Sequence, residues 1–265
     1  METNENIIGV GREAEVLAES DTVCVKWFYP GHSRHDALRE AEKLAFVSEH
    51  GVQAPRFYGV VEKEGRIGLR MERVHGLSML RELFSGPRPG VDYGELLGQT
   101  QRAFHAVSGV GLESRVDSMN WCIRHAEVLT PAEQEELCCR LARMEPGDRL
   151  LHGDYHMDNV LMTDRGPCVI DWTNAGYGNP LMDAARILFD CRVPVYPVDA
   201  DDTMRAIIDG ARASLLVSYL RGYGTTEAEL SPWVPLVAAG RLLFAPEEER
   251  RGSLPVVKAY LDSMA

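Results

Sequence analysis

Residues 150–172 read LLHGDYHMDNVLMTDRGPCVIDW, with four acids (Asp154, Asp158, Asp164, Asp171), two histidines (His152, His156) and Asn159 threaded between short apolar runs. The segment from Asn159 to Asp171 reads as two short strands around an Asp164-Arg165-Gly166 turn. A hairpin brings its ends together, so Asn159 and Asp171 should be neighbours, with Asp154 at the mouth. An amide oxygen beside a carboxylate is a hard-oxygen site. It suits Mg²⁺, which takes few protein oxygens and keeps waters or phosphates as its other ligands. Asp154 is then the acid that can orient a hydroxyl and accept its proton. Three chemistries compete for this stretch: metal-dependent hydrolysis, phosphoryl transfer, or a polar turn with none.

The flanking sequence supplies the elements that must hold these groups. Residues 7–28 alternate with period two around Gly9 and Gly11 and predict short strands. From Asp36 to His50 the apolar spacing is helical, with Gly51 and Pro55 as stop signals. Residues 56–72 predict a hairpin turning at Glu64-Gly65. After His75-Gly76 the chain becomes helix-rich. An amphipathic helix is expected over 91–108, another starts at the Thr130-Pro131-x-Glu133 cap, and more are expected over 203–221, 226–245 and 254–264. The fold class is α+β, with a small strand-rich lobe and a larger helical one. Clefts between lobes are favoured ligand sites.

Composition narrows the function classes. A net charge of −12, spread over both parts of the chain, argues against nucleic-acid binding through phosphates. The first ten residues lack the basic-then-apolar pattern of a signal peptide, and no apolar run is long enough for a membrane span. None of the six cysteines is spaced as C-x-x-C, so reduced thiols in a cytoplasmic protein are the expectation.

His152-Gly153-Asp154, Asn159 and Asp171 follow the H-x-D-x-x-x-x-N spacing of a kinase catalytic loop and its later metal-binding acid. The string HGDYHMDNVL…VIDW resembles the aminoglycoside phosphotransferase and choline-kinase-like family, over roughly residues 5–190. The resemblance implies a two-lobed protein-kinase-like fold, with residues 1–72 as the nucleotide-binding lobe and 73–265 carrying the catalytic loop and substrate site. It places Gly11 in the nucleotide-covering loop, which departs from G-x-G-x-x-G because Ala14 replaces the third glycine. It places Lys26 on the α/β-phosphates, held by Glu40, with Glu42 as the rival partner. Glu72 and Val74 would offer backbone groups to the base, with Met71 behind it. Asn159 and Asp171 would hold Mg²⁺, and Asp154 would act as base. His152 and His156 would support the loop, and Asp183 would brace it or favour a helix start.

The resemblance implies a kinase using ATP or GTP on a hydroxyl of an aminoglycoside-type antibiotic, a cationic class of acceptor. Choline, a sugar or homoserine are alternative acceptor types. A non-catalytic nucleotide-binding scaffold is disfavoured, because Lys26, Asp154, Asn159 and Asp171 are all present. A metal-dependent hydrolase is disfavoured because only His152 and His156 are candidate histidine ligands and there is no H-E-x-x-H helix. Glu247 to Arg250 (EEER) reads as a solvated face, with a cationic-substrate role as the lesser option.

Overall fold

The computed structural model describes residues 6–193, 196, 199–244 and 246–263. The N-terminal segment 1–5 and the expected helix ends at 245 and 264 lie outside the described residues. In chain order come β1 (Ile7–Val10), β2 (Ala14–Ala18), β3 (Val23–Phe28), α1 (Arg34–Glu49), β4 (Phe57–Lys63), β5 (Arg66–Glu72), β6 (Leu77–Ser78) and α2 (Met79–Ser85). Then come α3 (Tyr93–His105), α4 (Arg115–Arg124), α5 (Pro131–Arg143), β7 (Arg149–Leu151), β8 (Val160–Thr163), β9 (Gly166–Val169) and β10 (Gly176–Gly178). The chain continues with α6 (Pro180–Arg192), α7 (Asp202–Tyr223), α8 (Glu227–Leu230), α9 (Val234–Arg241) and α10 (Glu247–Asp262). The backbone groups into two compact units: Met1–Arg88 with His156–Asn174, and Pro89–Tyr155 with Ala175–Ala265. Residues 73–88 and the β8–β9 hairpin thus group with the first 72 residues.

The first unit is built on a five-stranded antiparallel sheet in the order β1-β2-β3-β5-β4. The Glu64-Gly65 turn joins β4 to β5 with both residues at positive φ (53° and 75°), the two-residue geometry that matches strand twist. Helix α1 starts at Ser33, whose side chain accepts from the Asp36 N–H. Its buried face carries Ala37, Glu40, Ala41, Leu44 and Val47, at the spacing of one helical stripe. Ala37 and Ala41 pack with Ala14, Phe28, Ile67 and Leu69 into the core of this unit. Glu40 is a carboxylate on that apolar stripe, and a buried charge there needs a partner. A second sheet, β6-β8-β9, carries the hairpin read from the sequence, with Val160 opposite Val169 and Thr163 opposite Gly166.

In the second unit, α3 and α7 approach backbone to backbone. A Cβ added to Gly98 would lie 2.4 Å from the Tyr219 carbonyl oxygen, and one on Gly222 would lie 2.1 Å from that of Glu95. Helix α5 starts with the expected Thr130–Glu133 capping box. Two expectations differ from what is seen. The stretch 226–245 is not one helix but α8, a 3₁₀ turn over Ser231–Trp233, and α9. Pro232 and Pro235 lack the N–H donors that a continuous helix needs. The C-terminal helix begins at Glu247, not 254, and runs through Pro255. Burial of Ser253 and Val257 on this helix supplies packing that offsets the cost of the proline.

All six cysteines are free thiols. Burial pushes Cys168 and Cys191 up to about 12 and Cys24 to about 11, so none of these three is poised to react. No helix among the described residues is long and apolar enough to cross a membrane.

Candidate active site

In the first unit, β3 projects Lys26 toward α1. Lys26 Nζ lies 2.6 Å from Glu40 Oε1 and 3.6 Å from Asp171 Oδ1. Glu42 is exposed, so Glu40 is the partner. Burial works against the ammonium, but the two carboxylates outweigh it and hold Lys26 above the usual lysine value. Lys26 is therefore a fixed positive charge. Two further contacts tie α1 and Lys26 to the turn after β9: Lys43 Nζ donates to the Thr173 carbonyl (2.8 Å), and Lys26 Nζ reaches Thr173 Oγ1 (3.5 Å).

The hairpin brings the backbone of Asn159 beside that of Ile170, the residue before Asp171. The Ile170 N–H donates to the Asn159 carbonyl (2.9 Å), one ladder step beyond the Val160–Val169 pair. Asp171 comes next and adopts φ 63°, which a non-glycine residue visits at a cost. Thr173 Oγ1 donates to Asp171 Oδ1 (2.7 Å) and steadies that carboxylate. His156 Nε2 lies 3.2 Å from the Asn159 amide nitrogen, and His156 Nδ1 accepts from the Asp158 N–H (3.3 Å). Asp158 in turn accepts from Ser78 Oγ (2.8 Å). His156 thus orients the amide. An amide oxygen and a carboxylate carried at the end of one hairpin are hard donors of the kind that Mg²⁺ takes, and it needs few protein ligands. Among the described residues no group of three or more His, Cys, Asp or Glu is placed to hold a metal ion.

The remaining expected nucleotide residues lie in the same unit. The Gly11 N–H donates to the Ala14 carbonyl (2.8 Å) and closes the β1–β2 turn. Met71 is half-buried against the unit's core. The Glu72 N–H donates to the Arg56 carbonyl (2.8 Å), and its carbonyl accepts from Cys24 Sγ (3.7 Å). Its side chain pairs with Arg165 (2.7 Å). Although burial raises it, Arg165 and the Arg56 N–H hold Glu72 below the usual glutamate value. Val74 comes after the last sheet contact, Arg73 N–H to the Thr22 carbonyl (2.9 Å).

Asp154 belongs to the second unit, in the loop after β7. Its Oδ1 accepts from Arg186 Nη1 (3.0 Å) and Arg241 Nη1 (3.1 Å). Its own N–H reaches His152 Nδ1 (3.3 Å). The buried Asp183 on α6 accepts the backbone N–H of His152 and of Gly153, both at 2.9 Å. It also lies 3.2 Å from His105 Nε2, whose Nδ1 is 2.8 Å from Tyr223 Oη. Burial raises Asp183, but His105, His152 and the loop N–H groups prevail and hold it well below the usual carboxylate range. Asp183 therefore braces the loop that carries Asp154.

The family model APH, the phosphotransferase enzyme family, matches residues 8–233. The chain belongs to that family. The match extends past residue 190, where the sequence resemblance stops. No curated protein sequence matches the chain. Among solved structures, an aminoglycoside-3'-phosphotransferase of type VIII is 21% identical, covering 88% of this chain and 92% of its own, with a TM-score of 0.56. The aminoglycoside phosphotransferase APH(3'')-Id from Streptomyces rimosus, in complex with ADP and streptomycin, is 16% identical over 87% and 91%, with a TM-score of 0.61. The macrolide 2'-phosphotransferase MphH from Brachybacterium faecium is 20% identical over 93% and 89%, with a TM-score of 0.52. These likenesses establish the protein-kinase-like fold expected of the phosphotransferase.

Sequence reasoning missed Arg186, Arg241, Thr173 and Lys43. Thr173, two residues past Asp171, was within reach of a local reading. The arginines lie 32 and 87 residues from Asp154, and no motif links them to it.

Proposed function

We propose that this phosphotransferase moves the γ-phosphate of ATP or GTP to a hydroxyl of a small molecule. The observation that carries this reading is Lys26 held between Glu40 and Asp171, on the same unit as Asn159. Lys26 neutralises the α/β-phosphate oxygens as a point charge. Asn159 and Asp171 are the residues to hold Mg²⁺, which when bound neutralises charge on the transferring phosphoryl group. Asp154 orients the acceptor hydroxyl and accepts its proton. Nucleotide binding falls to the first unit, and the acceptor side to the second.

An aminoglycoside-type antibiotic is the first acceptor class to test, since streptomycin and ADP share a complex with the Streptomyces rimosus relative. The test is nucleotide consumption with aminoglycosides, macrolides, peptide antibiotics and small metabolic alcohols. Transfer to at least one is expected, and failure with all of them counts against the reading. Asp154→Ala should lose roughly 10²–10⁴-fold in turnover and keep nucleotide affinity. Near-normal turnover in that variant would sink the assignment of the base.

A further inference from the structure

We infer that Arg186 and Arg241 are positioning residues that fix the carboxylate of Asp154 for phosphoryl transfer. This rests on the reading of Asp154 as the base. The two arginines come from different helices, Arg186 from α6 and Arg241 from the end of α9, yet both Nη1 atoms meet on the one oxygen, Asp154 Oδ1 (3.0 and 3.1 Å).

Each guanidinium is anchored a second time. Arg186 Nε lies 2.8 Å from both oxygens of Asp190, one turn along α6. Arg241 forks onto Glu249 in the first turn of α10 through Nε and, at 3.1 Å, through Nη2. An exposed ion pair between two long side chains is mobile and worth little. These are different, because the planar fork spends one edge on its anchor and extends the other to Asp154, which a lysine cannot do. Arg186 is also largely buried, with a side chain 12% exposed. Arg115, at the start of α4, adds a third positive charge that acts on Asp154 and Asp183.

Backbone and side chain of the base are thus held by separate sets. His152 and Asp183 fix the loop, and Arg186 with Arg241 fix the carboxylate. Misplacing a reacting group by about 1 Å can cost roughly 10²-fold in rate. Glu249 belongs to the EEER run, so that run is more than a solvated face. It is the outer end of a chain that runs from α10 through Arg241 to the base.

The experiment has two arms. In the first, Arg186→Gln, Arg186→Lys and Arg241→Ala are compared with the parent enzyme using Mg·ATP and Mg·GTP. Streptomycin, kanamycin and a macrolide are offered in turn as acceptor. For Arg186→Gln and Arg241→Ala, kcat should fall about 10–100-fold, by the misplacement estimate. The nucleotide KM should stay within about twofold, because positioning acts on the transfer step. Arg186→Lys should fall between the parent and Arg186→Gln. Millimolar guanidinium should restore part of the Arg241→Ala activity. Unchanged kcat, or a loss shared by kcat and nucleotide KM with no guanidinium rescue, overturns the proposal.

In the second arm, ¹⁵N NMR tracks the guanidinium Nε–H signals of Arg186 and Arg241. Both should move in Asp154→Asn, and unmoved signals overturn the contact itself. If the parent enzyme transfers phosphate to none of these acceptors, nor to any peptide antibiotic or small metabolic alcohol, the phosphoryl-transfer reading fails. The NMR arm then decides the carboxylate clamp alone.

Discussion

Asp171 combines two demands on one residue: a carboxylate 3.6 Å from Lys26 and a backbone at φ 63°. Glycine meets the second demand without steric cost, whereas aspartate in this region costs of order 1 kcal/mol or more. Asp171→Gly should therefore melt no lower than the parent protein while losing turnover. Thermal melting and a nucleotide-consumption assay check the two halves, and a large drop in Tm would mean that the Lys26 and Thr173 contacts outweigh the strain. The chemistry at Asp171 was legible in the sequence because acid, amide and turn sit within one hairpin. The strain was not, since VIDW reads as plain strand. The choice between Glu40 and Glu42 was not legible either. It turns on the phase of α1, which is set by how Ala37, Ala41, Leu44 and Val47 pack on the sheet.

Helix α6 carries both Asp183, which braces the loop, and Arg186, which reaches Asp154. In Asp183→Asn one N–H acceptor becomes a donor facing a donor. Breaking such a buried charged network costs about 3 kcal/mol. The pH dependence has a definite sign. The folded value of Asp183 is depressed, so its stabilisation is present above the unfolded value of about 4. It fades as pH falls through the folded value. The parent protein should therefore be more stable than Asp183→Asn at neutral pH, and the gap should narrow below about pH 4. Denaturant melts at about pH 7 and about pH 3 test this, and an equal gap at both removes the ionised carboxylate from the account. Helices α3 and α7 give a prediction of the opposite kind. Alanine is the better helix former by about 1 kcal/mol, yet Gly98→Ala should destabilise, because its Cβ would press on the Tyr219 carbonyl. A chemical melt showing stabilisation would mean that α7 yields. The sequence displayed the apolar stripe of α3, but its glycines are ordinary until a second backbone lies against them. That second backbone comes from far downstream in the chain, beyond any local pattern.

Across the whole chain, the residues read as nucleotide-binding and metal-holding fall in one compact unit, while Asp154 falls in the other. The chain passes between the units after Arg88, after Tyr155 and after Asn174. The first unit is therefore not a contiguous stretch. A fragment ending at residue 88 keeps Lys26 and Glu40 but has neither Asn159 nor Asp171. Such a fragment should not bind Mg·ATP with the affinity of the full chain, and calorimetry on both would show it. The segregation of strands and helices along the sequence suggested a boundary near residue 72, because the β8–β9 hairpin is too short to stand out from the helical part around it. The interleaving also bears on how such genes can be shuffled. A single recombination point between residues 88 and 156 would join the lysine half of one parent's nucleotide side to the metal-holding half of another's. Passing the donor side on by itself takes three recombination points, after residues 88, 155 and 174, whereas a single point leaves it intact only when it lies beyond residue 174.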